Sequence, residues 1–230
     1  MQVVRTNYSD AQAVHPASLP GHRFSPRSRR YLPIKRGFDV VAGLLLAPLA
    51  CVLIAFVWGL VRLDGGPGLF GHTRVGRDGK CFKCWKIRTM VPDADAALRE
   101  VLRKDPIAAA EWAQDRKLKS DPRITWIGGF LRRSSLDELP QLWNVLRGEM
   151  SLVGPRPITP EELPRYGLHC VEYCAIRPGI TGLWQVSGRN RLSYAERVAL
   201  DVRYLKNMNF FADIVILCGT VRVVIQRDGA

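Results

Sequence analysis

The chain has 230 residues, 47% of them hydrophobic and 24% charged. That is a globular composition, long enough for one domain with a real core or for one domain plus an anchor. Its 34 basic and 21 acidic residues leave a net charge of +13, which points to an anionic partner: nucleic acid, anionic lipid or a phosphorylated substrate. No secretory signal is expected, because the first apolar run starts late and lacks a small-residue cleavage site, so reduced thiols are the default.

Residues 1–34 are rich in Pro, Ser, Arg and His without an apolar period, which predicts a disordered arm. Residues 1–36 carry seven basic residues (Arg5, Arg23, Arg27, Arg29, Arg30, Lys35, Arg36) against Asp10 alone. This basic cluster lies directly before a hydrophobic run, where such clusters contact anionic headgroups. Val40–Val61 is 22 residues without a charge. As a straight helix it would reach about 33 Å, enough to cross a bilayer core. Pro48 removes a helical hydrogen bond near its middle. Basic residues flank both ends, so the positive-inside rule picks no orientation. Spanning and re-entrant readings both stand on these residues.

Asp64-Gly-Gly-Pro-Gly68 is a turn closing that element. A strand is predicted over Leu69–Val75, a hairpin turn over Gly76–Gly79 and a second strand over Lys80–Met90. In the second strand Lys83, Lys86 and Arg88 alternate with aromatics, a thin basis for a nucleic-acid surface. Residues 93–118 read as helical, divided at Asp105-Pro106 with Asp as N-cap. Ser120–Arg123 is a turn and Ile124–Ile127 a short strand before Gly128-Gly129. Cys81/Cys84 and Cys170/Cys174 also fit two halves of a zinc site, but the second spacing is loose. Cys51 and Cys218 lie in apolar segments, where cysteine simply packs.

The densest chemistry lies in Leu131–Pro157, LRRSSLDELPQLWNVLRGEMSLVGPRP. Ser135-Leu-Asp-Glu138 matches a capping box that starts a helix at Ser135, whereas Pro140 favours a start near Asp137. Either way Asp137 sits at a helix N-terminus, where the dipole favours a carboxylate and free N–H groups can hold phosphate. Asp137 and Glu138 as mere capping residues is the plainer alternative. Arg156 lies between two prolines, which fix the position of a guanidinium suited to bidentate phosphate contacts.

Arg177–Arg189 reads as turn, strand, turn, bringing Arg177, Gln185 and Arg189 into a glycine-rich frame open to a ligand. Ser193–Asn207 is an amphipathic helix carrying Asp201. Phe210–Gln226 is a mostly apolar helix, either core or interfacial.

These blocks together resemble the bacterial sugar transferases that begin exopolysaccharide assembly, the monotopic polyprenyl-phosphate phosphoglycosyl transferases. The resemblance runs from Lys35 onward, through KRGFDVVAG, HTRVGRDGKCFKCWKIRTM, DPRIT, LRRSSLDELPQLWNVLRGEMSLVGPRP, RPGITGLWQVSGR and the closing apolar helix. DRKLKSDPRIT and SGRNRLSYAERVALD look most like the subgroup that transfers galactose phosphate. The resemblance implies transfer of sugar-1-phosphate from a UDP-sugar, with UDP-galactose or UDP-glucose foremost, to undecaprenyl phosphate, releasing UMP. It implies Mg²⁺, with Asp137 and Glu138 as its candidate ligands, and a covalent phosphosugar on Asp137, with Glu138 as metal or proton-handling partner. By motif match Lys86, Arg132, Arg156 and Arg189 hold phosphates or nucleotide, with Asp201 added, and nucleic acid is not expected as a partner. The family's re-entrant helix breaks at a Ser-Pro pair; here Ala47-Pro48 keeps the proline and loses the hydroxyl. The expected architecture is therefore predominantly α with a small β-hairpin. A disordered arm (1–34) precedes a re-entrant membrane helix (35–64) broken at Pro48. A catalytic domain (65–230) with interfacial helices follows, at the cytoplasmic face of the bacterial inner membrane. The competing class is a basic, membrane-tethered scaffold without chemistry. It explains the charge and the anchor but not a carboxylate pair among arginines.

Overall fold

The computed structural model describes residues 26–115, 118, 120–188 and 192–225. Most of them are helical, with two small two-stranded sheets. Helix α1 runs from Pro26 to Arg62, 37 residues, or about 55 Å at 1.5 Å per residue. Two expectations change here. Residues 26–34, assigned to a disordered arm, are helical, and Ser28 and Tyr31 are buried. Residues 1–25 of that arm lie outside the described residues. The helix also passes through Pro48 without interruption. Proline deletes one donor from the ladder, and Ala47 and Ala50 beside it pack on the core.

One stripe of α1 is buried along its whole length, through Tyr31, Lys35, Asp39, Gly43, Ala50, Val57 and Val61. The opposite side is apolar and exposed, including Leu45, Leu49, Val52 and Phe56. By length and composition α1 could cross a membrane. Both of its ends are fastened to the same body. Near the N-terminus, Asp213 pairs with Lys35 and accepts from the Tyr31 and Tyr204 hydroxyls at 2.7 Å each. Arg36 donates to the Val145 and Leu146 carbonyls at 2.6 and 3.0 Å. At the other end the Arg88 guanidinium donates to the Val61 carbonyl at 3.1 Å and pairs with Asp64.

Strands β1 (Leu69–Val75) and β2 (Cys81–Ile87) form the expected antiparallel hairpin, with Phe70 opposite Lys86 and Arg74 opposite Phe82. Asp78 and Gly79 both take positive φ in its turn. Helices α2 (Ala94–Lys104) and α3 (Pro106–Asp115) divide where expected. Asp105 Oδ1 accepts from the Ile107 and Ala108 amides at 2.8 and 3.1 Å.

The strand expected at Ile124–Ile127 does not form. Ile124 makes one isolated bridge to Met90, and Thr125 then caps α4 (Trp126–Ser134) through a bond from Gly128 N–H. Gly128 is therefore inside a helix. A Cβ there would stand 2.0 Å from the Thr89 carbonyl oxygen, so tertiary approach, not turn chemistry, explains this glycine. Beyond α5 (Gln141–Arg147), β3 (Ser151–Val153) pairs in parallel with β4 (Gly179–Thr181), and α6 (Cys170–Cys174) lies between them in the chain. Helices α7 (Leu183–Ser187), α8 (Tyr194–Asn207) and α9 (Phe210–Ile225) complete the fold. The main core joins α1, α5, β3, α8 and α9 through Tyr31, Val145, Met150, Leu152, Leu205 and Ile216. All six cysteines are free, and no group of three or more His, Cys, Asp or Glu among the described residues is placed to hold a metal. The zinc arrangement is therefore not formed.

Candidate active site

Asp137 owes its position to a change of helix type. Ser135 enters the left-handed region (φ 57°, ψ 17°) and ends α4. A 3₁₀ turn, Leu136–Glu138, follows and leads into α5. Pro140 has no N–H, and its ring crowds the carbonyl four residues back. The backbone therefore bonds three residues back here, Leu139 to Leu136 at 3.3 Å and Trp143 to Pro140 at 3.1 Å. The capping box expected at Ser135 is absent, since Ser135 makes no side-chain cap bond in this conformation. Asp137 still occupies the first helical turn, and it is only 7% exposed.

Strand β2 brings a cation to it. The backbone of β2 away from β1 is satisfied by buried Asn144 of α5, whose amide accepts from Trp85 N–H at 3.1 Å and donates to the Lys83 carbonyl at 2.8 Å. That lock sets Lys86 against the carboxylates, with Nζ 2.6 Å from Glu138 Oε1 and 3.8 Å from Asp137 Oδ2. Arg132, on α4, is steadied by an Nε bond to Thr89 Oγ1 at 2.9 Å.

Burial pushes the Asp137 carboxyl up to about 6; Glu138 adds to this, while Lys86 and Arg132 oppose it. Desolvation works against the Lys86 ammonium, but Glu138 and Asp137 outweigh it and hold its pKa above the ordinary lysine value. The result is a desolvated carboxylate whose charge is balanced from two sides.

A second cluster surrounds Arg156. Its amide donates to Asp201 Oδ2 at 3.2 Å and its carbonyl accepts from the Tyr173 hydroxyl at 2.9 Å. Asp201 is buried, accepts from the Tyr166 hydroxyl at 2.7 Å, and has its pKa raised by burial to about 7. The Arg156 guanidinium carbon stands 5.2 Å from the centre of the Trp184 ring. The hairpin links the two clusters. Lys86, Phe70, His72 and Arg74 share one face by register. Arg74 pairs with Glu162 at 3.2 Å, and its pKa is lowered by burial and then by nearby Arg156.

The profile of the family described as bacterial sugar transferase matches residues 30–227. The chain belongs to that family. It is 52% identical, over 91% of its own length, to the undecaprenyl-phosphate galactose phosphotransferase of Salmonella typhimurium, covering 44% of that protein. It is 49% identical to the exopolysaccharide production protein ExoY of Rhizobium meliloti, over 85% of this chain and 87% of that one. A third relative, the undecaprenyl-phosphate glucose phosphotransferase of Komagataeibacter xylinus, is 38% identical over 90% of this chain and 38% of its own. The chain thus spans less than half the length of several of the curated relatives it matches.

The residues expected at the site separate into groups. Lys86, Arg132, Asp137 and Glu138 come together, and Arg156 and Asp201 meet in the adjoining cluster. Asp201 holds the Arg156 backbone. Gln185 turns inward and donates to the Ile180 carbonyl at 2.8 Å. Arg177 stands apart from both clusters: its Nε donates to the Gly148 carbonyl at 2.6 Å, at the end of α5 opposite Asp137. Arg36, which donates to the Val145 and Leu146 carbonyls, stands at the same helix end. The glycines around Arg177 serve backbone packing, since a Cβ on Gly179 would meet Gly154 N at 2.1 Å and one on Gly182 would meet Gly154 O at 2.2 Å. Arg189 lies outside the described residues. Asn144, Tyr166, Tyr173, Trp184 and Arg197 went unnoticed. Only Arg197 left a sequence signal, four residues before Asp201 on one helix face.

The donor set at Asp137 and Glu138 is two adjacent carboxylates. A hard divalent ion that takes one or two carboxylates and completes its shell with water and substrate phosphate fits such a set. A zinc-type site of three or four side chains does not.

Proposed function

We propose that the chain transfers a sugar-1-phosphate from a UDP-sugar to undecaprenyl phosphate, releasing UMP, as the first membrane step of exopolysaccharide assembly. UDP-galactose is the preferred donor and UDP-glucose the second, in keeping with the names of relatives. The observation that carries this reading is Asp137, a buried carboxylate flanked by Glu138 and faced by Lys86 and Arg132.

In the first half-reaction an Asp137 carboxylate oxygen bonds to the sugar-bearing phosphorus. The bond from that phosphorus to the bridging oxygen breaks, and UMP departs with the electron pair. In the second, an oxygen of undecaprenyl phosphate attacks the same phosphorus and frees the carboxylate. An anion attacking an anion needs the repulsion offset, which Lys86 and Arg132 do at the carboxylate and Arg156 does at the phosphates. Mg²⁺, held by Asp137 and Glu138, supplies further positive charge that polarises phosphoryl oxygens when bound.

The helix α1 bears on where this happens. A bilayer span separates its ends by roughly 30 Å of hydrocarbon, whereas both ends of α1 are fastened to one polar body. We therefore read α1 as re-entrant, dipping its exposed apolar side into the inner membrane from the cytoplasmic face. Lipid phosphate and soluble nucleotide sugar then meet at one interface.

The test is UMP release by the full chain in nanodiscs, with and without undecaprenyl phosphate, across UDP-galactose and UDP-glucose. Release that requires lipid, stops with EDTA and returns with Mg²⁺ is expected. Asp137→Asn should abolish it at an unchanged unfolding temperature, and a labelled sugar-phosphate adduct should map to Asp137. Full turnover by Asp137→Asn would refute the covalent mechanism. Release indifferent to lipid would make the enzyme a phosphohydrolase.

A further inference from the structure

The indole of Trp184 lies under two guanidiniums. Arg156 stands 5.2 Å from its ring centre and Arg197 5.3 Å. The arrangement is fixed from several sides. Trp184 is 8% exposed. Arg197 Nε donates to the Leu192 carbonyl at 3.1 Å. One turn further along α8, Asp201 takes the Arg156 amide. Pro155 and Pro157 restrict the backbone on either side of Arg156, and Tyr173 holds its carbonyl.

The choice of partner is informative. A carboxylate facing Arg156 would neutralise it and occupy its N–H edge. An indole face attracts the guanidinium through the ring quadrupole and leaves its in-plane donors and its full charge available. Among the described residues the Arg156 side chain makes no ion pair or hydrogen bond; the Asp201 carboxylate acts on its charge from a distance, and Oδ2 of that carboxylate is taken by the Arg156 amide and the Tyr166 hydroxyl. It is a cation oriented but not spent.

We propose that Trp184 and Arg197 are positioning residues for Arg156. Together they hold its guanidinium in the orientation that receives a phosphate of the nucleotide sugar or of the lipid acceptor. This rests on the transferase reading and adds two residues to it.

The experiment is a mutant cycle on UMP release by the full chain in nanodiscs, using UDP-galactose and undecaprenyl phosphate as probes. Trp184→Leu and Arg197→Ala should each raise KM for one of the two anionic substrates by roughly 3- to 30-fold, the range that loss of a cation–π contact allows. Trp184→Phe, which keeps a π face, should recover most of that loss. In an Arg156→Lys background, where the planar stack is already gone, the same substitutions should cost no more than about twofold, because residues that act as a unit are non-additive. Varying each substrate in turn identifies which phosphate Arg156 receives. Should Trp184→Leu fail to fold, Trp184→Phe and Arg197→Ala complete the cycle. Losses that multiply undiminished in the Arg156→Lys background would overturn the positioning role while leaving the transferase intact. A wild-type protein that releases no lipid-dependent UMP would overturn the transferase reading, and this inference with it.

Discussion

Replacing Asp213 by alanine should loosen the joint that holds α1 to the catalytic body. Asp213 is fully buried and serves three donors: Lys35, the Tyr31 hydroxyl and the Tyr204 hydroxyl. Lys35 is itself 5% exposed, so its ammonium would be stranded away from water. Breaking a buried pair in this way costs about 3–5 kcal/mol. The hydroxyls add less: Tyr204 also reaches the Val153 carbonyl at 3.4 Å, and effects that share one network do not sum. For a chain of this size that corresponds to a fall in Tm of roughly 6–20 °C. Unfolding followed by tryptophan fluorescence in nanodiscs would measure it. Adding Lys35→Met to Asp213→Ala should recover most of the loss, because the stranded charge is removed. A Tm within 2 °C of the parent for Asp213→Ala, or a double variant no more stable than the single, would refute the argument that a paired charge holds this joint.

In the proposed mechanism Asp137 must be ionised to attack, so turnover should fall as pH drops through about 6, to which burial raises its pKa. Glu138→Gln removes the neighbouring negative charge and should move that limb to lower pH; a limb that moves upward would contradict the assignment. Gly128→Ala should destabilise the protein by about 1–3 kcal/mol or more, since the new methyl meets the Thr89 carbonyl; a neutral Tm would count against this packing. Arg177→Ala should lower Tm while leaving KM for the UDP-sugar within about twofold, as a helix cap does and a substrate contact does not. A raised KM at unchanged Tm would restore Arg177 to the binding site.

What was legible in the sequence is what neighbouring residues decide among themselves. Asp105-Pro106 divides its helices, Gly76–Gly79 turns its hairpin, and the amphipathic helix expected at Ser193–Asn207 is α8. The carboxylate pair and its cations were legible because chemistry concentrates them in one segment, with Lys86 the distant member. The departures from the sequence reading have two causes, a proline five residues on at Ser135 and contact across the chain at Gly128 and Arg177. Ser135-Leu-Asp-Glu138 has the letters of a capping box, but Pro140 imposes a 3₁₀ turn and Ser135 leaves the capping conformation. Gly128-Gly129 reads as a loop until Thr89 is seen pressed against it. Arg177 reads as a ligand-facing cation in a glycine-rich frame, whereas its Nε bond goes to the Gly148 carbonyl, 29 positions away. Basic side chains look alike in sequence whether they cap a helix, fasten a membrane helix or wait for a phosphate.

The structure tells those three uses apart by what each cation faces. Arg36 and Arg177 donate to backbone carbonyls at the end of α5, and Arg88 faces the Val61 carbonyl and pairs with Asp64, so these bonds serve the fold. Lys86 faces Glu138 and Asp137 and is consumed by the site itself, keeping a desolvated carboxylate tolerable before any substrate arrives. Arg156 faces an indole. This division fits what the proposed phosphoryl transfer requires. The nucleophile end must be balanced in the resting protein, or burial would simply protonate it. The phosphate end must stay unbalanced, or it would have nothing to offer an incoming anion. A basic scaffold that only gathers anionic lipid has no need of the first condition, because exposed lysines would serve it as well. The buried, counterbalanced Asp137 is therefore the feature that sets this chain apart from a charged anchor.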